Sequence, residues 1–341
     1  MSLALRKAKS VSVVLLTLHI AVKDLFAKME VEKGPGADFN KVVSDCQHLA
    51  THLNHIKPKE LTKTVNNVVA TRWNSHLIMM RSILDQWESI ESILKDRKES
   101  KYLNFNKNLL SLLVDFLTPL EDATMVWSQS NKPTLHLVVP MLNKIMNICE
   151  PERKDSKHLA FLKLNFKLAI EVKIFDKLHR VHFAATLLDF RFKDMVFDFD
   201  QCAYNTTSGK FFLKDLIIQL MDDEPENEQQ AVFNDPLLPT GCGNRNEPDE
   251  FESYFSSRNL IYSDCYEGSN LDILKCWEKY KCQFPKVYRF ATWLLSVPAT
   301  SVLSEKNFSD CKWMINSRRT NLKPENVNNC LIVKSSFKYS N

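Results

Sequence analysis

Three closely spaced histidines could bring metal-binding nitrogens to one face of a helix. His48, His52 and His55 are separated by four and three residues, and residues at these spacings lie on the same side of a helix. Imidazole nitrogens arranged in this way could bind zinc. The alternative is an ordinary solvated helix surface, and the sequence favours this alternative. We therefore predict no metal site and no cofactor.

A second candidate for chemistry is the pair Arg72 and Trp73 in the run T-R-W-N-S. An indole face can stack on a nucleic-acid base, which contributes roughly 1–3 kcal/mol per base, and a neighbouring guanidinium can hold a phosphate. This pair is the sequence's candidate DNA-binding site. The alternative, which we favour, is that Trp73 packs in the core or between helices.

Asp189 and Arg191 also have side chains that could act in a site, but we expect them to form a buried structural ion pair instead. The sequence contains none of the patterns G-x-G-x-x-G, P-loop, G-x-S-x-G or H-E-x-x-H, which mark several nucleotide-binding and hydrolytic sites. We expect neither catalysis nor a small-molecule substrate.

The composition indicates a helix-rich intracellular protein. The 341 residues include 45 basic and 41 acidic side chains, so nucleic-acid contacts would depend on local patches rather than on the net charge of +4. Only six residues are glycine, well below the average of roughly 7%. The nine cysteines lack C-x-x-C pairs and indicate reduced thiols. The uncharged run 10–22 is shorter than the roughly 20 residues that span a bilayer, and no signal-peptide cleavage site follows it.

Helical periodicity and composition predict three parts. Residues 1–220 form a helical body, residues 221–270 an acidic and polar linker, and residues 271–341 a C-terminal block. In that block an apolar helix face precedes Pro298, which cannot continue a helix. The stretch from Lys306 to the last residue contains seven basic and two acidic residues. The predicted apolar face comprises Val287, Phe290, Ala291, Leu294 and Leu295 on the helix before Pro298, together with Phe308 after it.

The order of motifs in the last 65 residues resembles the C-terminal signature block of hAT-type transposases and of host proteins derived from them. The resemblance is carried by W…F-P…A…L…V-P-A-T-S…S-E-x-x-F-S…R-x-x-L-x-P-E-x-V, between Trp277 and Val327. Weaker blocks follow the family order upstream, including T-R-W-N-S and A-T-L-L-D-F-R-F-K, where Phe190 stands in place of the family's usual proline. The resemblance covers about residues 17–337.

The resemblance implies a mainly α fold: a helical insertion domain and the C-terminal part of an incomplete RNase H-like α/β core. In the family the C-terminal block packs subunits together, and two Asp and one Glu hold catalytic metal ions. Glu305 matches that third carboxylate, whereas both Asp positions lie upstream of the first matching segment. We therefore expect no catalytic residues that suffice for activity. The BED-type zinc finger of many relatives has no counterpart here.

Several functions remain open at this point. The favoured hypothesis is a catalytically inactive, domesticated hAT protein that dimerises with itself or with another hAT-derived protein, and the six apolar residues from Val287 to Phe308 are its predicted dimerisation face. The others are a regulatory protein that binds DNA weakly through Arg72, Trp73 and the basic C-terminal flank, an active nuclease, and a nonfunctional fragment. The resemblance implies a nuclear location, and we expect no membrane association.

Overall fold

The computed structural model describes residues 14–58, 60–61, 63–68, 73–102, 105–129, 131–222, 247–257, 265–267 and 270–300. Within these ranges the chain is mainly α-helical, which confirms the predicted fold class. The RNase H-like portion stays a prediction. The helices are α1 (Val14–Val31), α2 (Pro35–Ile56), α3 (Asn74–Asp85), α4 (Trp87–Asp96), α5 (Lys107–Trp127), α6 (Val138–Cys149), α7 (Lys157–Lys173), α8 (Arg180–Leu187), α9 (Thr206–Asp222), α10 (Glu247–Ser256), α11 (Ile273–Tyr280) and α12 (Pro285–Leu295).

Short elements connect these helices. Single 3-10 turns occur at Ser100–Tyr102, Leu135–Leu137 and Phe175–Lys177. Strands β1 (Tyr266–Glu267) and β2 (Asn270–Leu271) pair antiparallel. Among the helices that the structure describes, none is long and apolar enough to cross a membrane.

Local sequence sets several of the helix starts. The side chains of Asn106 and Ser156 accept hydrogen bonds from Leu109 N and Leu159 N at the first turns of α5 and α7. Asp272 does the same for two backbone amides of α11. Such side chains satisfy amide groups that have no partner within the helix.

Two hydrophobic cores share one wall, which is α8. The main core lies among α1 to α7, with Trp127, Phe39 and Phe166 among its largest fully buried side chains. The second core joins α8 to α10, α11 and α12. Phe183 faces the main core and Ala184 the second one, so α8 is buried on all sides. The buried polar side chains of this helix, His182 and Thr186, take part in hydrogen bonds, as buried polar groups require.

One helix lies within the predicted linker. The sequence 221–270 is rich in acidic residues, yet α10 is ordered and packs into the second core. Phe251 and Tyr254 are buried there, and Phe255 packs against the same core. These aromatic residues give an otherwise acidic helix an apolar side, and their burial stabilises the helix against the rest of the chain. The exact division of the chain into three parts stays a prediction.

Candidate functional site

A short segment that begins at the last residue of α8, Leu187–Lys193, connects the helical body to the C-terminal helices; we call it the junction segment. Its backbone accepts two long-range hydrogen bonds. The Tyr254 hydroxyl donates to the carbonyl oxygen of Leu187 at 2.8 Å. The Trp277 indole Nε1–H donates to that of Leu188 at 2.9 Å. Both bonds are buried, and both join residues more than 60 positions apart. The junction segment therefore fixes α10 and α11 on the body.

Phe190 fills the space between these helices. Its ring centroid lies 4.7 Å from that of Trp277, 5.5 Å from that of Tyr280 and 6.0 Å from that of Tyr254. Clustered aromatic rings at 4.5–7 Å contribute beyond the area that they bury. The residue that departs from the family pattern thus supplies the centre of an aromatic cluster.

Asp189 and Arg191 form the predicted ion pair. Arg191 Nη2 lies 2.6 Å from Asp189 Oδ2, and Arg191 Nε lies 3.0 Å from Asp189 Oδ1. Asp189 is fully buried, while the Arg191 side chain is 33% exposed. A buried carboxylate needs such a partner because an unpaired charge in the interior is strongly destabilising. The structural interpretation of this pair is confirmed.

His136 lies next to the ion pair, with its Nε2 3.5 Å from Asp189 Oδ2. Burial lowers the pKa of His136 to about 4, and this effect outweighs the opposing influence of Asp189. The imidazole is therefore neutral at neutral pH. Thr186 Oγ1 donates to the His136 backbone oxygen at 3.1 Å, which holds the 3-10 turn Leu135–Leu137 against α8.

Lys193 closes the junction segment by binding the end of α10. Its Nζ donates to the backbone oxygens of Tyr254 at 3.0 Å and Phe255 at 3.4 Å, and also to that of Ser257. The carbonyl groups at a helix C-terminus lack helical partners and attract positive charge. Lys193 is itself buried, so its ammonium group is committed to this contact.

The predicted dimerisation face lies inside the chain. Val287, Phe290, Ala291, Leu294 and Leu295 are each no more than 2% exposed and belong to the second core. Glu250 Oε1 accepts a hydrogen bond from Val287 N at 2.9 Å, which satisfies an amide at the start of α12. Phe308 and Glu305 lie outside the described residues. The apolar periodicity was thus a sign of intramolecular packing, and the role of this face in dimerisation stays a prediction.

The segment after α12 returns to the helical body. Ala299 N donates to Thr134 Oγ1 at 2.9 Å, and Thr300 Oγ1 donates to the Trp127 backbone oxygen at 3.4 Å. Ala299 belongs to the main core. The V-P-A-T run therefore attaches the C-terminal block to the body at a second place, distant in sequence from the junction segment.

The remaining candidates have separate positions. Trp73 is only 3% exposed and lies in the main core, as the favoured alternative predicts, and Arg72 lies outside the described residues. His52 Nε2 contacts Glu99 Oε2 at 2.5 Å, while His48 and His55 are exposed. No group of three or more His, Cys, Asp or Glu side chains that could hold a metal occurs within the described ranges.

Sequence reasoning missed three residues that organise the site: Lys193, Glu250 and Tyr254. Lys193 is the last residue of the block A-T-L-L-D-F-R-F-K. Its position beside apolar residues could have indicated that this lysine is buried. Glu250 and Tyr254 lie in the predicted linker, where the spacing of Phe251, Tyr254 and Phe255 could have indicated a helix.

Comparison with known proteins connects this site to a family. Residues 250–337 match the hAT family C-terminal dimerisation region. The match includes α11, α12 and all but the first three residues of α10, and it begins within the predicted linker. It therefore contains the residues that bind the junction segment.

Two relatives extend the similarity. The transposable element Hobo transposase of Drosophila melanogaster is 33% identical over 131 residues, which are 37% of this chain and 19% of that protein. Zinc finger protein 618 of Homo sapiens is 25% identical over 271 residues, which are 78% of this chain and 27% of that protein. The matches thus span about a fifth to a quarter of the length of these relatives. This chain is similar to the hAT transposases, and its residues 250–337 match the family's C-terminal dimerisation region.

Proposed function

We propose that the chain acts through dimerisation, with a second copy or with another hAT-derived protein as partner. The match of residues 250–337 to the hAT dimerisation region carries this proposal. The junction segment gives a physical reason to expect that the helical body also contributes to dimerisation. Because Lys193, Leu187 and Leu188 bind α10 and α11, the body helps to fix the shape of the region that would meet the partner.

The proposed contact surface consists of side chains that the dimerisation region exposes. Tyr266 is 42% exposed and Leu274 is 40% exposed. Tyrosine is a typical anchor at the centre of an interface, and Leu274 would add apolar area that is removed from water on association. We propose that Val287, Phe290 and Leu294 act indirectly, by holding α12 against the second core.

The experiment is sedimentation of the intact chain at micromolar concentration, in low and high salt. We expect twice the mass of one chain in both, because contacts between apolar side chains are insensitive to salt. Leu274→Glu should shift the protein to single chains, since an unpaired charge at an apolar contact is unfavourable. The matched control is Leu164→Glu on α7, an exposed leucine outside the matched region, which should leave the mass unchanged. A single-chain mass for the wild type would contradict the proposal.

We also propose that the chain cleaves no DNA. Two buried carboxylates of the C-terminal region and the junction segment have structural partners: Asp189 pairs with Arg191, and Glu250 accepts from the amide of Val287. Wild-type chain and Glu305→Ala should therefore both leave supercoiled and linear DNA intact in Mg²⁺ or Mn²⁺. Metal-dependent cleavage by the wild type that Glu305→Ala abolishes would contradict this proposal.

A nuclear location is proposed because the chain resembles a transposase and a zinc finger protein. Microscopy of the tagged full chain tests it directly. Exclusion of the tagged chain from the nucleus would refute this proposal without affecting the dimerisation proposal.

A further inference from the structure

Two cysteine side chains of the C-terminal region lie against each other. Cys265 directly precedes β1, and Cys276 is the fourth residue of α11. Both are reduced cysteines, and both side chains are fully buried in the second core. Their thiols form a hydrogen bond with each other. The fold therefore brings two sulfur atoms from different elements into contact.

The backbone fixes the positions of the two cysteines. Asp272 N donates to Cys265 O at 2.8 Å, and Asp272 O accepts from Cys276 N at 3.2 Å. The Asp272 side chain also accepts from two amides at the start of α11. On the other side, Tyr266 pairs with Leu271 in the hairpin of β1 and β2. Two cysteines can be bridged without backbone movement only where the fold already brings their side chains together, and these backbone contacts do so.

Two simpler roles account for less of this arrangement. A structural metal site takes four ligands, and no group of three or more His, Cys, Asp or Glu side chains that could hold a metal occurs among the residues that the structure describes. Ordinary core packing explains why a single cysteine is buried, because a free cysteine behaves as a small apolar residue. The contact between two thiols is the additional feature, and the chemistry available to such a pair is oxidation to a disulfide.

We propose that Cys265 and Cys276 are a reversible redox modification site, a dithiol in reducing conditions and a disulfide in oxidising ones. The oxidant is glutathione disulfide. The thiolate of one cysteine attacks a sulfur of glutathione disulfide, a mixed disulfide forms, and one glutathione leaves as a thiolate. The second cysteine, also as a thiolate, attacks the protein sulfur of the mixed disulfide and releases the second glutathione. Two protein thiols are oxidised, glutathione disulfide is reduced to two glutathione molecules, and these take up the two thiol protons.

The folded environment makes this oxidation slow. Burial raises the pKa of the Cys276 thiol, and the neighbouring Cys265 thiol and Asp189 carboxylate raise it further. The thiolate is the reacting form, so it is scarce while the core is closed, and the two buried sulfurs are shielded from glutathione. The reaction therefore requires local opening around β1. The pair responds to sustained oxidising conditions rather than to brief ones.

The disulfide fastens the hairpin of β1 and β2 to α11. Ten residues lie between the two cysteines, and a bond that closes such a ring stabilises the fold mainly by restricting the unfolded chain. Tyr266 and Leu274, the exposed side chains of the proposed dimer surface, lie within this ring. The disulfide forms within one chain and does not depend on dimerisation, so the two proposals can fail separately.

The test incubates the full chain in buffers with increasing ratios of glutathione disulfide to glutathione. Free thiols are then blocked, and the protein is digested and analysed by mass spectrometry. We expect peptides joined through Cys265 and Cys276, and full reversal by dithiothreitol. Cys265→Ala and Cys276→Ala should each lose this link and carry glutathione on the remaining cysteine. The matched control is Cys282→Ala, which removes a half-buried cysteine just after α11 and should retain the link.

Urea adds two readouts that do not depend on the variants. The oxidised wild type should unfold at a higher urea concentration than the reduced wild type. Urea below the unfolding transition should accelerate disulfide formation, because it favours local opening. The proposal is wrong if no link between Cys265 and Cys276 forms at the highest ratio, or if Cys265 is joined to another cysteine instead. It is also wrong if the link forms only in the unfolded chain, or if it leaves the urea midpoint unchanged.

Discussion

Replacing Gly209 by alanine is expected to destabilise the protein by roughly 2 kcal/mol, although alanine is the better helix former. In an exposed helix this change stabilises by about 0.5–1 kcal/mol. Here a Cβ would lie 2.6 Å from Phe183 Cβ and 2.9 Å from both Ala184 N and Phe183 C. Two of these atoms belong to the backbone of α8, so they cannot move aside as a flexible side chain would. Overpacking of this kind typically costs about 1–3 kcal/mol.

The effect of Gly209→Ala should extend to both cores. Gly209 lies on α9, and α8 is the wall between the two cores. Separating the two helices would disturb Phe183 on one side of α8 and Ala184 on the other. Urea unfolding measures the loss, with Thr207→Ala as the control because Thr207 is exposed on the same helix. If Gly209→Ala were as stable as the wild type, the close approach of α8 and α9 would be wrong.

Local patterns in the sequence predicted those structural features that are determined by residues close together in the sequence. Helical periodicity identified the apolar face of α12, and the ion pair of Asp189 with Arg191, two residues apart, was predicted as well. The partner of an apolar face depends on the whole fold, however. The same periodicity would occur at a subunit interface, and for this reason Phe290 and Leu294 were assigned to dimerisation although they are buried in their own chain.

Contacts between distant residues could not be predicted in the same way. Lys193 binds the end of α10 across 61 positions, and Trp277 binds Leu188 across 89. Neither separation leaves a periodic signal.

Trp277→Ala should have the largest effect of any single change in the C-terminal region, about 3–5 kcal/mol. The ring is fully buried and packs on Phe190 and Tyr254. Its removal leaves a cavity in the aromatic cluster and leaves the Leu188 oxygen without its donor. Trp277→Phe is the matched control, since it retains the six-membered part of the ring and leaves the buried Leu188 oxygen without its donor, at a cost of about 1–3 kcal/mol.

The same pair of variants tests whether the junction segment matters for dimerisation. If α11 must be fixed on the body for two chains to meet, Trp277→Phe should keep the wild-type mass in sedimentation. Trp277→Ala should then lose the dimer at urea concentrations where circular dichroism still reports a folded helical body. The helical body should stay folded under these conditions because the main core contains neither Trp277 nor Phe190. The opposite result would be that Trp277→Ala unfolds both cores in a single transition and remains a dimer up to that transition. The junction segment would then contribute to stability and not to dimerisation.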